Sequence, residues 1–168
     1  RRVVAGDRVS APVAVLVAMT EEAAPFVARA QAHGDEEVVG GARLRPLTIA
    51  GRDVLLVTTG IGLVNAATAA AVVAARVRPA ALVGAGSAGG LGARVRVGDV
   101  VAGSSYAYAR ADARAFGYVM GQVPGMPATF AADRRLIVAA TGDSGELTVH
   151  AGEVVSGDMF VDGPLVEQ

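Results

Sequence analysis

A glycine-rich run set between apolar, strand-like segments constrains this chain more than any other feature. Gly84, Gly86 and Gly89 satisfy the G-x-G-x-x-G spacing, directly after the apolar segment 80–83, which reads as a buried strand. In a dinucleotide-binding unit that spacing opens a helix whose first amide N–H groups face a pyrophosphate. Here the following residues, Leu91-Gly92-Ala93-Arg94-Val95-Arg96-Val97-Gly98-Asp99-Val100-Val101, alternate apolar and charged side chains at period two and predict another strand. The glycines therefore admit something close to the backbone other than a dinucleotide phosphate.

A chain of 168 residues suits one domain with a core of its own. With 52% hydrophobic, 18% charged and 4% aromatic residues, it reads as a globular α/β protein rather than a disordered one. The net charge of -1 provides no footprint for nucleic acid or for an acidic membrane surface, so neither is expected as a partner. Without Cys there is no disulfide and no thiolate metal site, and His33 and His150 are too few for a histidine-rich one. The apolar run 12–19 is too short to span a bilayer and ends at Thr20-Glu21-Glu22. A cytoplasmic location is the default expectation.

Segment 13–17 reads as a first buried strand, with Thr20 as the N-cap of a helix over 21–32. Strands follow at 44–50 and 53–58 around the turn dipeptide Gly51-Arg52, then Gly60-Ile61-Gly62 and an Ala-rich helix over 64–77 that Arg78-Pro79 stops. Strands at 80–83 and 99–105 continue an alternation that implies a sheet covered on both faces. Residues 110–129 form a long loop, and long ordered loops in compact domains tend to carry function. Asp133 caps a helix reaching 140, and segment 147–155 supplies one or two last strands.

Few residues suggest chemistry when taken singly. Glu21 and Glu22 occupy the first turn of a helix that begins where a buried strand ends. There they either offset the helix dipole or, at the carboxyl edge of a sheet, supply a general base for an attacking water. Gly60-Ile61-Gly62 lacks the Gly-Lys-Ser/Thr ending of a P-loop. Phe160 either packs or stacks on a flat heterocycle, and Asp158 sits in a turn. His33, before Gly34, reads as a helix C-terminal residue, and His150 has no partner visible in the sequence.

Taken together and in order, five segments carry a resemblance. They are Ala18-Met19-Thr20-Glu21-Glu22; Thr59-Gly60-Ile61-Gly62-Leu63-Val64-Asn65-Ala66-Ala67; Gly86-Ser87-Ala88-Gly89-Gly90-Leu91 with Val97-Gly98-Asp99-Val100-Val101; Ala115-Phe116-Gly117-Tyr118-Val119-Met120-Gly121-Gln122-Val123-Pro124-Gly125-Met126-Pro127; and Val155-Ser156-Gly157-Asp158-Met159-Phe160-Val161. The chain resembles the 5′-methylthioadenosine/S-adenosylhomocysteine nucleosidases of the nucleoside phosphorylase superfamily.

The resemblance implies a three-layer α/β/α fold with a central mixed sheet, here a single nucleosidase domain over 1–168 lacking its C-terminal part. It implies hydrolysis of the N-glycosidic bond of an adenine nucleoside, releasing adenine and a 5-thioribose, with no metal or organic cofactor. Glu22 aligns with the water-activating carboxylate. Met19, Ile61, Ser87, Ala88 and Gly89 align with the walls of the purine and ribose pocket, Phe160 with the aromatic that stacks on adenine, and Val161 with the residue whose backbone pairs with the base edge. Phe116, Tyr118 and Pro124 fall on the loop that closes the neighbouring subunit's 5′-alkylthio pocket, which implies a homodimer. The family's Lys after the second glycine of Gly-Ile-Gly is Leu63 here, and its His-Asp before the dimer loop is Ala109-Arg110. Two other readings fit the same segments: a different hydrolase of the superfamily, such as one acting on futalosine, or a catalytically incomplete chain that binds purine and dimerises.

Overall fold

The computed structural model describes residues 11–142 and 145–160. Its contacts divide the chain into two units that meet in sequence between Ser87 and Ala88.

The first unit is built on a mixed sheet. Strand β1 (Val13–Val17) opens it, with helix α1 (Thr20–Arg29) next in the chain. Four strands then come in succession: β2 (Ala32–His33), β3 (Glu37–Val39), β4 (Ala42–Ile49) and β5 (Arg52–Thr58). Helix α2 (Leu63–Arg76) leads to β6 (Ala81–Gly84). The spatial order is β2-β4-β5-β1-β6, with β3 also on β4. β1 runs parallel to both β5 and β6, while β4 is antiparallel to β5, β2 and β3.

The period-two alternation of β1 and β5 divides the core into two layers. Ala14, Leu16, Leu55 and Val57 face Ala69 and Val73 of α2, whereas Val15, Val17 and Leu56 face Ala23, Phe26 and Val27 of α1. One helix thus covers each sheet face, which gives the expected α/β/α layering around a mixed sheet. Strands apolar on both faces need such cover.

Several local expectations shift for identifiable reasons. The hairpin between β4 and β5 turns on Ala50-Gly51, both at positive φ (50° and 70°), not on Gly51-Arg52. A two-residue turn of that hand matches the strand twist and leaves Arg52 paired with Ile49. α1 starts at Thr20 with Met19 as N-cap, and it ends at Arg29 rather than 32. The edge of β4 recruits the backbone that follows, through Gln31 N–H to the Thr48 carbonyl and Gly34 N–H to the Pro46 carbonyl, both 2.8 Å. His33 is consequently an edge-strand residue opposite Leu47 and not a helix cap.

The second unit holds β7 (Val100–Tyr108), a 3-10 turn (Arg114–Phe116), β8 (Phe130–Ala131), α3 (Arg134–Thr141) and β9 (Val149–Ser156). β7 lies between antiparallel β8 and parallel β9. Asp133 caps α3, accepting from the Arg135 N–H at 2.8 Å. The alternation at 91–98 does not become a strand. Asp99 folds it back, accepting from the Arg96 N–H at 2.9 Å while its own N–H donates to the Arg96 carbonyl at 3.0 Å, with Gly98 at φ 96°. Val97 is left fully exposed. The same Asp99 carboxylate meets His150 Nε2 at 2.9 Å, so His150 does have a partner, reached across neighbouring strands. No helix among the described residues is long and apolar enough to cross a membrane.

Candidate active site

Parallel pairing of β5, β1 and β6 brings the segments after three strands to one sheet edge: 18–22 after β1, 59–62 after β5, and 85–87 after β6. Such a carboxyl edge is where α/β sheets collect ligands. Backbone bonds continue past the strands and hold these segments together. Thr59 N–H donates to the Val17 carbonyl at 2.8 Å, Gly60 N–H to Ala18 at 3.1 Å, and Ala85 N–H to Leu16 at 2.9 Å. The Asn65 side chain donates to the Ile61 carbonyl at 2.7 Å, fixing the Gly-Ile-Gly loop against the first turn of α2.

Glu22 is the third residue of α1 and points back over the start of its own helix. Its Oε2 accepts from the Ala18 N–H at 2.9 Å and from the Met19 N–H at 3.1 Å. Its Oε1 accepts from the Ser87 N–H and the Ser87 hydroxyl, both at 2.8 Å. Four donors therefore occupy the roughly four lone-pair positions of a carboxylate. Partial burial pushes the Glu22 carboxyl up. The Ser87 N–H and hydroxyl, with the Met19 and Ala18 N–H groups, outweigh it and hold the group below the ordinary glutamate range. Glu22 is thus ionised at neutral pH and half-buried. Of its four donors only the Ser87 hydroxyl turns freely about its own bond; the other three are backbone groups.

Glycine at position 86 is part of the same arrangement. A Cβ there would lie 2.9 Å from Glu22 Oε1, 3.2 Å from Cδ and 3.3 Å from Oε2. The carboxylate rests on the bare backbone of the loop. Sequence reasoning gave these glycines to a ligand and Ser87 to a pocket wall. In the structure Gly86 makes room for Glu22, and Ser87 binds it.

The remaining predicted site residues are placed as follows. In the first unit Met19 is half-buried and gives its N–H to Glu22, while Ile61 is 72% exposed beside Gly60 and Gly62. In the second unit Ala88 and Gly89 are exposed and outside regular structure, and Phe160 stands 88% exposed beyond the end of β9. Phe116 closes the 3-10 turn with its ring 82% exposed; Tyr118 is half-buried and Pro124 exposed. Val161 lies outside the described residues. Sequence reasoning missed the Ala18 and Met19 amides and Gly86. The only sequence signal for them is a Glu at the third helical position, where a side chain reaches back to the capping amide. Among the described residues no three His, Asp or Glu side chains are grouped to hold a metal ion.

Comparison with known proteins identifies the frame around this carboxylate. Residues 12–167 match the model of the phosphorylase superfamily. A 5′-methylthioadenosine/S-adenosylhomocysteine nucleosidase of Anoxybacillus flavithermus is 37% identical over 155 residues, 90% of this chain and 66% of that protein. The crystal structure of the corresponding nucleosidase of Neisseria meningitidis, in complex with methylthio-immucillin-A, superposes with a TM-score of 0.86 at 38% identity, covering 92% of this chain and 68% of that one. That of Colwellia psychrerythraea, in complex with adenine, gives 0.87 at 32% identity over 94% of this chain and 66% of that one. The chain thus spans about two thirds of the length of these relatives. It belongs to the phosphorylase superfamily and, within it, to the 5′-methylthioadenosine/S-adenosylhomocysteine nucleosidases.

Proposed function

We propose that the protein hydrolyses the N-glycosidic bond of 5′-methylthioadenosine and S-adenosylhomocysteine, releasing adenine and a 5-thioribose, with Glu22 as general base. The observation that carries this reading is an ionised carboxylate fixed at the carboxyl edge of the sheet by four donors, in a chain whose relatives include one bound to adenine and one to methylthio-immucillin-A. In the reaction a water oxygen bonds to the ribose C1′ as the bond from C1′ to the purine nitrogen breaks. The electron pair of that bond leaves on the purine, which takes up a proton, and the water gives its proton to Glu22. A fully occupied carboxylate has no lone pair for that proton. The Ser87 hydroxyl is the donor able to turn away, toward the water or a sugar hydroxyl, and its departure also raises the basicity of Glu22 at the step that needs it.

Water is favoured over phosphate as the nucleophile on electrostatic grounds. An ionised Glu22 repels an anionic nucleophile, and Gly84, in the strand just before this loop, has no side chain to bind one. Around Glu22, Met19, Ile61, Ser87, Ala88 and Gly89 form the purine and ribose walls in this reading. Phe160 stacks on adenine, and the Val161 backbone pairs with the base edge. Phe116, Tyr118 and Pro124 serve a neighbouring copy's 5′-alkylthio pocket in a cytoplasmic homodimer. The exposed Phe116, Val119, Met120 and Met126 give that loop an apolar surface that favours burial against a second copy. Adenine release from 5′-methylthioadenosine, followed by absorbance, tests the activity; no release by a protein of confirmed intact mass overturns it. Light scattering tests the dimer, and a clean monomer at micromolar concentration rules it out.

A further inference from the structure

We propose that Gly86 is a positioning residue for the reaction, its missing side chain setting where the Glu22 carboxylate lies. The proposal rests on Glu22 being the base. A Cβ at position 86 would meet all three carboxylate atoms, at 2.9, 3.2 and 3.3 Å, and outside the adjoining residues no other heavy atom is nearer to it. The first distance is shorter than real Cβ contacts, so something must move. What moves is the far end of a flexible side chain rather than the framework. Gly86 is not among the glycines at positive φ, so alanine suits its backbone. The loop is selective in this respect: a Cβ at Gly84 or Gly89 meets nothing within 4 Å, and one at Gly90 meets Val95 instead.

An alanine at 86 drives the carboxylate away from the loop and off the two Ser87 donors that lie beside it. The Ala18 and Met19 amides belong to the start of Glu22's own helix and stay with it. The displaced carboxylate is still present and still charged at neutral pH, but it is misplaced and less well hydrogen-bonded.

The test is Gly86→Ala in the full chain, with two readouts. The first is the titration midpoint of the Glu22 side-chain carboxyl by carbon NMR, which needs no turnover. It is expected to rise relative to the unsubstituted protein, because the Ser87 donors that lower it are lost. The second is adenine release, expected to fall by about 10- to 100-fold in kcat with a smaller change in KM, the scale of a sub-ångström to 1 Å misplacement. Gly84→Ala should leave both readouts unchanged. An unmoved Glu22 midpoint with unchanged kcat in Gly86→Ala overturns the proposal, and so does loss of cooperative melting, since the new methyl would then be striking the framework. Glu22→Gln separates the two ideas: if it keeps its turnover, the assignment of the base has failed, whereas an inactive Glu22→Gln beside a normal Gly86→Ala removes only the role of Gly86.

Discussion

Glu22→Gln removes a charge and turns one acceptor into a donor, while all four groups facing Glu22 are donors. The best compromise for the amide is to keep its oxygen on the Ala18 and Met19 N–H groups and turn its NH2 toward Ser87. There the hydroxyl reverses and accepts, but the Ser87 N–H faces another N–H. Three charge-assisted bonds become neutral ones and the fourth is lost. Bonds to a charged partner are worth about 1.5–3 kcal/mol against roughly 0.5–1.5 for neutral pairs. Ser87 is exposed, so water compensates its stranded N–H. Water also screens the charge at this half-buried, partly open site, which cuts the summed difference of about 3 kcal/mol to an expected net loss of about 1–2 kcal/mol, or roughly 2–8 °C in Tm for a chain of this size.

The loss should also depend on pH in a defined direction. The folded Glu22 carboxyl titrates below its unfolded value. Its contribution to stability is therefore fully present above the unfolded value of about 4.3 and disappears as pH falls through the folded one. Thermal melts of the two proteins should differ most at neutral pH and converge in acid. In the same samples turnover should fall by about 10²- to 10⁴-fold, the range for losing a general base, while adenine binding persists, since the role proposed for Glu22 is to activate water rather than to hold the purine. Equal melting at neutral pH, or a gap that stays constant into acid, refutes the four-donor account. Turnover within tenfold of the unsubstituted protein refutes the catalytic one.

Three further outcomes follow from packing and turns. Val73, fully buried between α2 and the sheet, loses two methyl groups in Val73→Ala, and denaturant melts should show about 2 kcal/mol of destabilisation. Gly121→Ala places a Cβ 2.7 Å from the Tyr108 carbonyl oxygen at a φ of 84°. It should break the Gly121 N–H to Ala111 bond and speed limited proteolysis within 110–129, with rates like the unsubstituted chain as the contrary result. The Arg96 N–H and His150 hold the Asp99 carboxyl below its usual range. The stability it contributes is present above the unfolded aspartate value and lost as pH falls through the folded one. Asp99→Ala should speed hydrogen exchange at Arg96 near neutral pH, and this difference should shrink in acid.

Elements whose cause is local were legible in the sequence, and those imposed by a neighbouring strand were not. β1 was read at its observed bounds because five apolar residues end at a helix start. α3 was recognised because Asp133 caps it through its own side chain. β2 and β3 have only two and three residues and exist because β4 offers them an edge, which no local pattern announces. The alternation at 91–98 misled because period two describes a solvent-facing turn as well as a strand once an Asp three residues on captures the Arg96 amide.

The site divides in the same way. Glu22 was visible as an acidic residue at a helix start, yet its position alone favoured offsetting the helix dipole over acting as a base, because the discriminating partner is 65 residues away. What joins Glu22 to Ser87 is the strand order: β6 lies beside β1, so the residues just after β6 meet the helix just after β1. The Gly-x-Gly-x-x-Gly spacing had drawn the glycines toward an external phosphate. In the structure only Gly86 of the three lies against an anion, and that anion is internal. Gly86 leaves space and Ser87 supplies two donors, the same two features that a phosphate loop would offer, used here on the chain's own carboxylate. A side chain that already fills such an anion seat leaves it closed to phosphate, and the hydroxyl that completes the seat is the one part free to turn when water arrives.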